Sequence, residues 1–341
     1  MPSDRDAAGP VVEATGSALV VSEPAGVLPP GDKRVEAIPR RPRSPLAKAE
    51  ERRFYLFLTP WIIGFIFFGV GPMIGSIVLS LTNYSLLSAP QFVGLANYSR
   101  MFADPLFYKT MVNTIYFGVA SVALSVTFTL LIAILLNQQV RGLWFFRMVF
   151  YLPSVVAGIA TALLWKNILD PDFGLINLIL GWFGIQGPGW LQSPNWAIPG
   201  LVLMAVWGAG NTIVIYLAGL QSIPAHLYEA AQIDGANWWD RFRHVTIPMM
   251  SPVIFFNIIT GLVASLQAYV LILIMTQGSG ASAGGPENST LVIGLYIYKT
   301  AFQYFDFGYA AALSWALFVF IMIITLIQFV LGRRWVFYDS K

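Results

Sequence analysis

The stretch EAAQIDGANWWDRFRHVTIP, residues 229–248, gathers Glu229, Asp234, Asp240, Arg241, Arg243 and His244 within twenty positions. Titratable side chains at that density are the material of acid–base chemistry. Their spacing does not supply it. No histidine is paired with a nucleophile, and no close pair of carboxylates falls in a predicted cleft. The chain has no cysteine, which excludes a thiol nucleophile, a disulfide and a thiolate-bound metal. Its two histidines, His226 and His244, are too few for a histidine-only metal site. No G-x-x-x-x-G-K-[ST] phosphate loop occurs. The glycine-rich GSGASAGGP, 278–286, lacks the lysine and reads as a flexible external loop. The expectation is a chain that is not an enzyme and holds no cofactor or metal of its own. Nothing in it points to nucleic acid.

The elements around this polar loop are apolar. The chain of 341 residues is 57% hydrophobic and 11% charged, with mean hydropathy +0.67. A soluble domain is about 25% charged, so the bilayer and its lipid are the expected solvent. Six segments approach the roughly 20 apolar residues a spanning helix needs: 55–81, 111–137, 148–168, 197–220, 251–276 and 308–331. The stretch 174–184, GLINLILGWFG, is too short to cross and reads as a re-entrant or interfacial helix. Residues 1–50, rich in Pro, Ala, Gly and charge, read as a disordered tail. Residues 51–341 form the membrane domain, with a polar loop at 221–250.

Loop charges orient the spans. Arg40, Arg41, Arg43, Lys48, Arg52 and Arg53 precede the first span, and Arg141 and Arg147 follow the second. Arg241 and Arg243 follow the fourth, and Arg333 and Arg334 the sixth. The alternate loops carry fewer cations. The positive-inside rule places both termini and the 229–248 stretch in the cytoplasm.

The apolar cores of the spans hold no Asp, Glu, Lys or Arg, although ion- or proton-coupled carriers place such groups at membrane depth. What remains is neutral: Asn113, Asn137, Asn211, Asn257, Gln267 and several Ser and Thr. Two readings stand for these groups. They hydrogen-bond a neutral, hydroxyl-rich solute, or they bond between helices. Trp207 and Asn211 are one helical turn apart, with Gly208 between them, and Gly261, Ala264, Ser265 and Ala268 share a face.

The segment SIPAHLYEAAQIDG, 222–235, carries helix punctuation. Pro224 suits a first turn and Gly235 a C-terminal stop. Ala230 and Ala231 leave a slim face. This is a short helix at right angles to the spans, open either to docking by another protein or to a merely connecting role.

Glu229-Ala230-Ala231, Gly235, Val245, Ile247 and Pro248 resemble the EAA signature of binding-protein-dependent ABC importer permeases. FVGLANY (92–98), RGLWFFRMVFYLP (141–153), GGPENST (284–290) and YIYKTAF (296–302) are similar to sugar-importer permeases of the maltose and glycerol-phosphate type. The resemblance covers about residues 54–338. It lacks the extra N-terminal spans and large external domain of the larger maltose permease subunit, and QGSGASAGGP is longer than the usual turn.

The resemblance implies an all-α, six-span permease of the type I ABC importer fold, in a bacterial cytoplasmic membrane. A coupling helix would lie between the fourth and fifth spans. Glu229, Ala230, Ala231, Asp234 and Gly235 would carry contact with an ATPase. It implies a second, related permease as heterodimer partner, two ATP-binding subunits that hold ATP and Mg, and an extracytoplasmic solute-binding protein that delivers a carbohydrate. Aligned on the EAA loop, Trp207, Gly208, Asn211, Gly261, Ala264 and Ser265 match substrate-lining positions. The rival is a stand-alone channel or facilitator for small neutral solutes, in which the EAA loop has no task.

Overall fold

Each apolar run long enough to cross a bilayer is helical, because a backbone in hydrocarbon finds no water for its N–H and C=O groups. The computed structural model describes residues 45–85, 89–138, 142–156, 158–277 and 283–337. The expectations for the tail up to residue 44, for Arg141 and for positions 278–282 lie outside them.

The chain opens with α1 (Pro45–Phe65), a π-helical turn and α2 (Gly71–Ser80). A two-stranded antiparallel hairpin, β1 (Thr82–Asn83) and β2 (Gln91–Phe92), leads to α3 (Ala96–Ala103) and α4 (Pro105–Leu136). Next come α5 (Leu143–Val155), α6 (Gly158–Ile168), α7 (Leu175–Trp182), α8 (Ala197–Trp207) and α9 (Gly210–Gln221). The polar loop contains α10 (Ala225–Ile233) and α11 (Trp238–Arg241). A second π-turn, α12 (Ile247–Leu266), α13 (Val270–Thr276), α14 (Ile293–Phe302) and α15 (Phe307–Gly332) complete the described chain.

Four continuous helices are long and apolar enough to span: Ala49–Ser80, Pro105–Leu136, Trp238–Leu266 and Phe307–Gly332. Counting each of the bent pairs α5–α6 and α8–α9 as one span, the described residues hold six. Helix α7 has eight residues, about 12 Å at 1.5 Å per residue.

The fifth span starts earlier than its apolar run. It begins at Trp238 and passes through Pro248 and Pro252 without a break. Proline lacks an N–H and crowds the carbonyl four residues back. The chain answers with a wider turn. Phe242–Thr246 is π-helical, and the Ile247 N–H reaches back to the Phe242 carbonyl. The same device, Ile66–Val70 with the Gly71 N–H on the Ile66 carbonyl, precedes Pro72.

The chain divides into two compact units, Met1–Trp61 and Ile62–Lys341. In the second, α4 is central and packs against α8, α9 and α12. Its buried residues, among them Phe107, Thr110, Thr114, Phe117, Ser121, Leu130 and Ala133, recur every three or four positions as a helix stripe requires. At one end of α4 a cluster of Phe117, Trp165, Leu201, Ile272, Leu295 and Leu313 forms. At the other lies a smaller cluster of Leu130, Ala133, Tyr216, Met250 and Ile254.

Candidate functional site

Between these clusters α4 presents Phe117 to Val126 to a cavity of about 410 Å³. The opposing walls come from α12, from the α5–α6 junction and from the α8–α9 break. No charged side chain lines it. Its polar surface is Ser121, Ser125, Ser154, Thr161, Thr212, Asn257 and Ser265. Several of these satisfy themselves along their own helix. Ser265 Oγ donates to the Leu262 carbonyl at 3.0 Å, Asn257 Nδ2 to Val253 at 2.8 Å, and Ser154 Oγ to Tyr151 at 2.7 Å. The Ser121 hydroxyl is buried without a partner. A buried hydroxyl left this way is an exception to the usual pairing of buried polar groups.

The helices meet here because small residues let them. A β-carbon on Gly118 would lie 3.2 Å from Ser265 Oγ and 3.3 Å from a Leu266 methyl. Close backbone approach of this kind holds membrane helices together where the hydrophobic effect gives no net drive.

The sequence-derived path residues separate. Gly208, Gly261, Ala264 and Ser265 line this cavity, together with Ala268. Trp207 lines a second cavity of about 400 Å³, with Phe128, Phe150 and Ile213, and packs edge-on against Trp165 at 6.0 Å. Asn211 is exposed at the start of α9. The expectation that Trp207 and Asn211 share a face fails because α8 and α9 meet at 50°, across Gly208 and Ala209. The i to i+4 rule needs an unbroken helix. Ser121, Ser125, Thr161 and Thr212 were missed. Ser121 and Ser125 stand four apart, as do Asn257, Gly261 and Ser265, and that spacing was a usable signal.

At the far end of α4 lies the EAA loop. Helix α10 starts at Ala225, one residue after Pro224, and ends at Ile233, with Asp234 as C-cap and Gly235 at φ +80°. Glu229, Ala230 and Asp234 are exposed, and Ala231 is half-buried. Ile233 is 87% exposed. The following turn holds a second helix start that the sequence reading passed over. Asn237 caps α11, accepting from the Trp239 and Asp240 N–H groups at 2.8 and 3.0 Å, while Asp240 accepts from the Asn237 N–H at 3.2 Å. This reciprocal capping box fixes where the fifth span begins.

The opposite end is tied by long-range polar bonds. Asp104 caps α4 and accepts from the hydroxyls of Tyr296 at 2.6 Å and Tyr309 at 2.9 Å. Burial pushes the Asp104 carboxyl up. Hydrogen bonds from Tyr296, the Leu106 N–H and Tyr309, with the Arg100 charge, outweigh this and hold it below the usual carboxylate range. Arg100 pairs with Asp306 at 2.6 Å and lies over the Tyr309 ring. The loop before α14 is pinned by Asn113, which donates to the Asn288 and Leu291 carbonyls at 2.9 and 3.0 Å. Lys109 donates to the Glu287 carbonyl, and Thr114 accepts the Ile293 N–H at 2.8 Å.

Helical spans, an uncharged cavity among the second to fifth of them and an exposed helix between the fourth and fifth define a type I importer permease. The chain belongs to the family of binding-protein-dependent transport system inner membrane components, whose pattern matches residues 126–336. It is 40% identical over 290 residues to the probable ABC transporter permease protein YesP of Bacillus subtilis, covering 84% of this chain and 92% of that protein. It is 36% identical over 298 residues to the lactose transport system permease protein LacF of Rhizobium radiobacter, covering 86% and 98%. Among solved structures it resembles a chain of a bacterial alginate ABC transporter in complex with alginate pentasaccharide-bound periplasmic protein. That match has a TM-score of 0.72 and 27% identity, covering 85% of this chain and 98% of the other. The chain is therefore a multi-pass transmembrane permease subunit of an ATP-driven importer, not a stand-alone facilitator and not an enzyme.

Proposed function

We propose that the cargo is an uncharged saccharide, and that the cavity beside α4 is this subunit's share of its path. The observation that carries the reading is the lining. It offers hydroxyls, one amide and apolar surface, with no side chain that is charged at neutral pH. Such a wall suits a neutral polyol and leaves an acidic sugar without a counter-charge. The likeness to a lactose permease supports the sugar class. Gly208, Gly261, Ala264 and Ser265 would line the path. Trp207 would back it from the adjoining cavity, and Asn211 would stand at its rim.

Energy would come from two ATPase subunits, which hold the ATP and Mg that this chain does not. Glu229, Ala230, Ala231, Asp234 and Gly235 would form the coupling contact. A second, related permease would complete the pathway as a heterodimer. A solute-binding protein would deliver the sugar outside, a role supported by the periplasmic protein in the alginate importer complex. The family likeness favours a bacterial cytoplasmic membrane, and the loop charges favour both termini inside. Residues 1–50 would be a tail dispensable to the permease domain at 51–341.

Uptake by the reconstituted importer tests the cargo. With its own binding protein supplied, labelled neutral mono- and disaccharides should enter on ATP hydrolysis, and uronic acids should not. Ser121→Ala with Asn257→Leu should lower uptake while solute capture by the binding protein stays normal. Preferential uptake of acidic sugars would refute the reading.

A further inference from the structure

A second, smaller pocket lies at the EAA end of the membrane domain. It has a volume of about 210 Å³ and is lined by Ile134, Asn137, Gln138, Leu220, Tyr228, Trp238, Arg241, Phe242 and Thr246. Three span ends converge there. Helix α4 stops at Leu136, α9 stops at Gln221, and the fifth span starts at Trp238. The pocket therefore sits at the membrane interface, at headgroup depth.

Its unusual feature is Arg241. The Nε of this guanidinium is buried with no hydrogen-bond partner. The adjacent carboxylate, Asp240, accepts from the Asn237 N–H in the capping box and makes no ion pair with Arg241. A partly buried guanidinium without an acid leaves a strong donor and a full charge uncompensated, and such groups are normally paired. The amides of Asn137 and Gln138 add donors on one side. The Tyr228 and Thr246 hydroxyls close another, bonded to each other at 3.1 Å, with Thr246 Oγ1 donating to the Arg241 carbonyl at 3.4 Å. Trp238 and Phe242, stacked at 5.6 Å with an interplanar angle of 2°, form a flat apolar flank.

A guanidinium fork with further donors off its plane suits a tetrahedral oxyanion better than a planar carboxylate. The volume is too small for a nucleotide, since ligand pockets of that class run from about 300 Å³ upward. Ile134 and Leu220, each in the last turns of a span, supply apolar wall on the side of the hydrocarbon. Exposed Trp238, at 59%, is the side chain that interfaces favour. We propose that this pocket binds a phosphate group at the membrane surface, with Arg241 as its principal ligand. An anionic phospholipid headgroup and free inorganic phosphate share that chemistry, and the test separates them.

The assembled importer is purified into nanodiscs of phosphatidylcholine with or without phosphatidylglycerol, and retained lipid is counted by native mass spectrometry. Inorganic phosphate binding is read in parallel by phosphorus NMR line broadening. The wild type should retain phosphatidylglycerol, and Arg241→Gln should weaken retention at least about tenfold, the loss expected for a charge-assisted contact. Arg241→Lys, which keeps charge and loses the fork, should fall between. If Arg241→Gln does not assemble, Asn137→Leu carries the same comparison. An Arg241-dependent phosphate signal with unchanged lipid retention supports the site and assigns it to the free ion. If neither ligand distinguishes variant from wild type, the proposal is overturned. Loss of the ATPase from Arg241→Gln with lipid and phosphate binding intact also overturns it, because the pocket would then be a protein contact.

Discussion

The two ends of α4 are finished in opposite ways. At the end that opens on the hairpin and α14, the cations Arg100, Lys109, Lys166 and Lys299 all have partners. These are Asp306 and the carbonyls of Glu287, Gln277 and Ala283. Most of these bonds join segments more than a hundred residues apart. At the EAA end most side-chain bonds are local, such as the capping box and His244 Nδ1 against the Asp240 carbonyl at 3.1 Å, although the Phe337 N–H donates to Ser251 Oγ, 86 residues away, at 2.8 Å. Arg241, Arg243, Arg333 and Arg334 have no side-chain hydrogen bond or ion pair to another described residue. Ile233 and Trp238 are open. The first end pairs its cations within its own chain. The second leaves cations and apolar side chains open, which is what the coupling contact proposed above would cover.

Breaking the self-completed end should cost stability most. Gly308→Val places a β-carbon on the Thr82 carbonyl oxygen, a backbone atom that cannot step aside. The same junction holds the Phe307 and Gly308 N–H groups on the Tyr84 carbonyl, at 3.0 and 3.2 Å. The expected loss is about 3 kcal/mol, at the upper end for overpacking, read as a fall in the detergent melting temperature.

Asp104→Leu comes next, at about 2 kcal/mol, since it removes a cap and the acceptor of two phenols from a partly solvated site. This term carries a pH signature. The folded carboxyl lies below its ordinary value, so its contribution is whole above about pH 4, the unfolded value. It is lost as pH falls through the lower folded value. The melting gap between wild type and Asp104→Leu should be constant from neutral pH to about pH 5 and shrink below about pH 4.

The smallest effect on stability should come from the EAA end. Glu229→Lys, on an exposed helix face, should shift stability by less than about 0.5 kcal/mol yet impair ATP-driven uptake. A large melting change with normal uptake would reverse the comparison.

Hydropathy made the spans legible, because in lipid the helix is the forced outcome for an apolar run. The α10 helix was legible from Pro224, Gly235 and the EAA spacing. The true start of the fifth span was not, although Asn237 and Asp240 stand at capping-box spacing. The prolines that follow drew attention to themselves, and the π-turn that absorbs Pro248 has no sequence signature of its own. The cavity lining was half legible. Gly261, Ala264 and Ser265 lie on an unbroken helix, so spacing predicts their shared face. Trp207 and Asn211 flank a bend set by how α8 and α9 pack on α4. The pinning of Asn288 by Asn113, 175 residues away, lay beyond local pattern.

Hydrogen exchange on the importer complex, with the ATPase subunits present and then stripped, tests the contrast between the two ends most directly. Adding the ATPases should slow exchange across 225–241 and leave 283–302 unchanged. Equal protection at both ends, or none at 225–241, would contradict the assignment of the EAA end as the surface a partner completes.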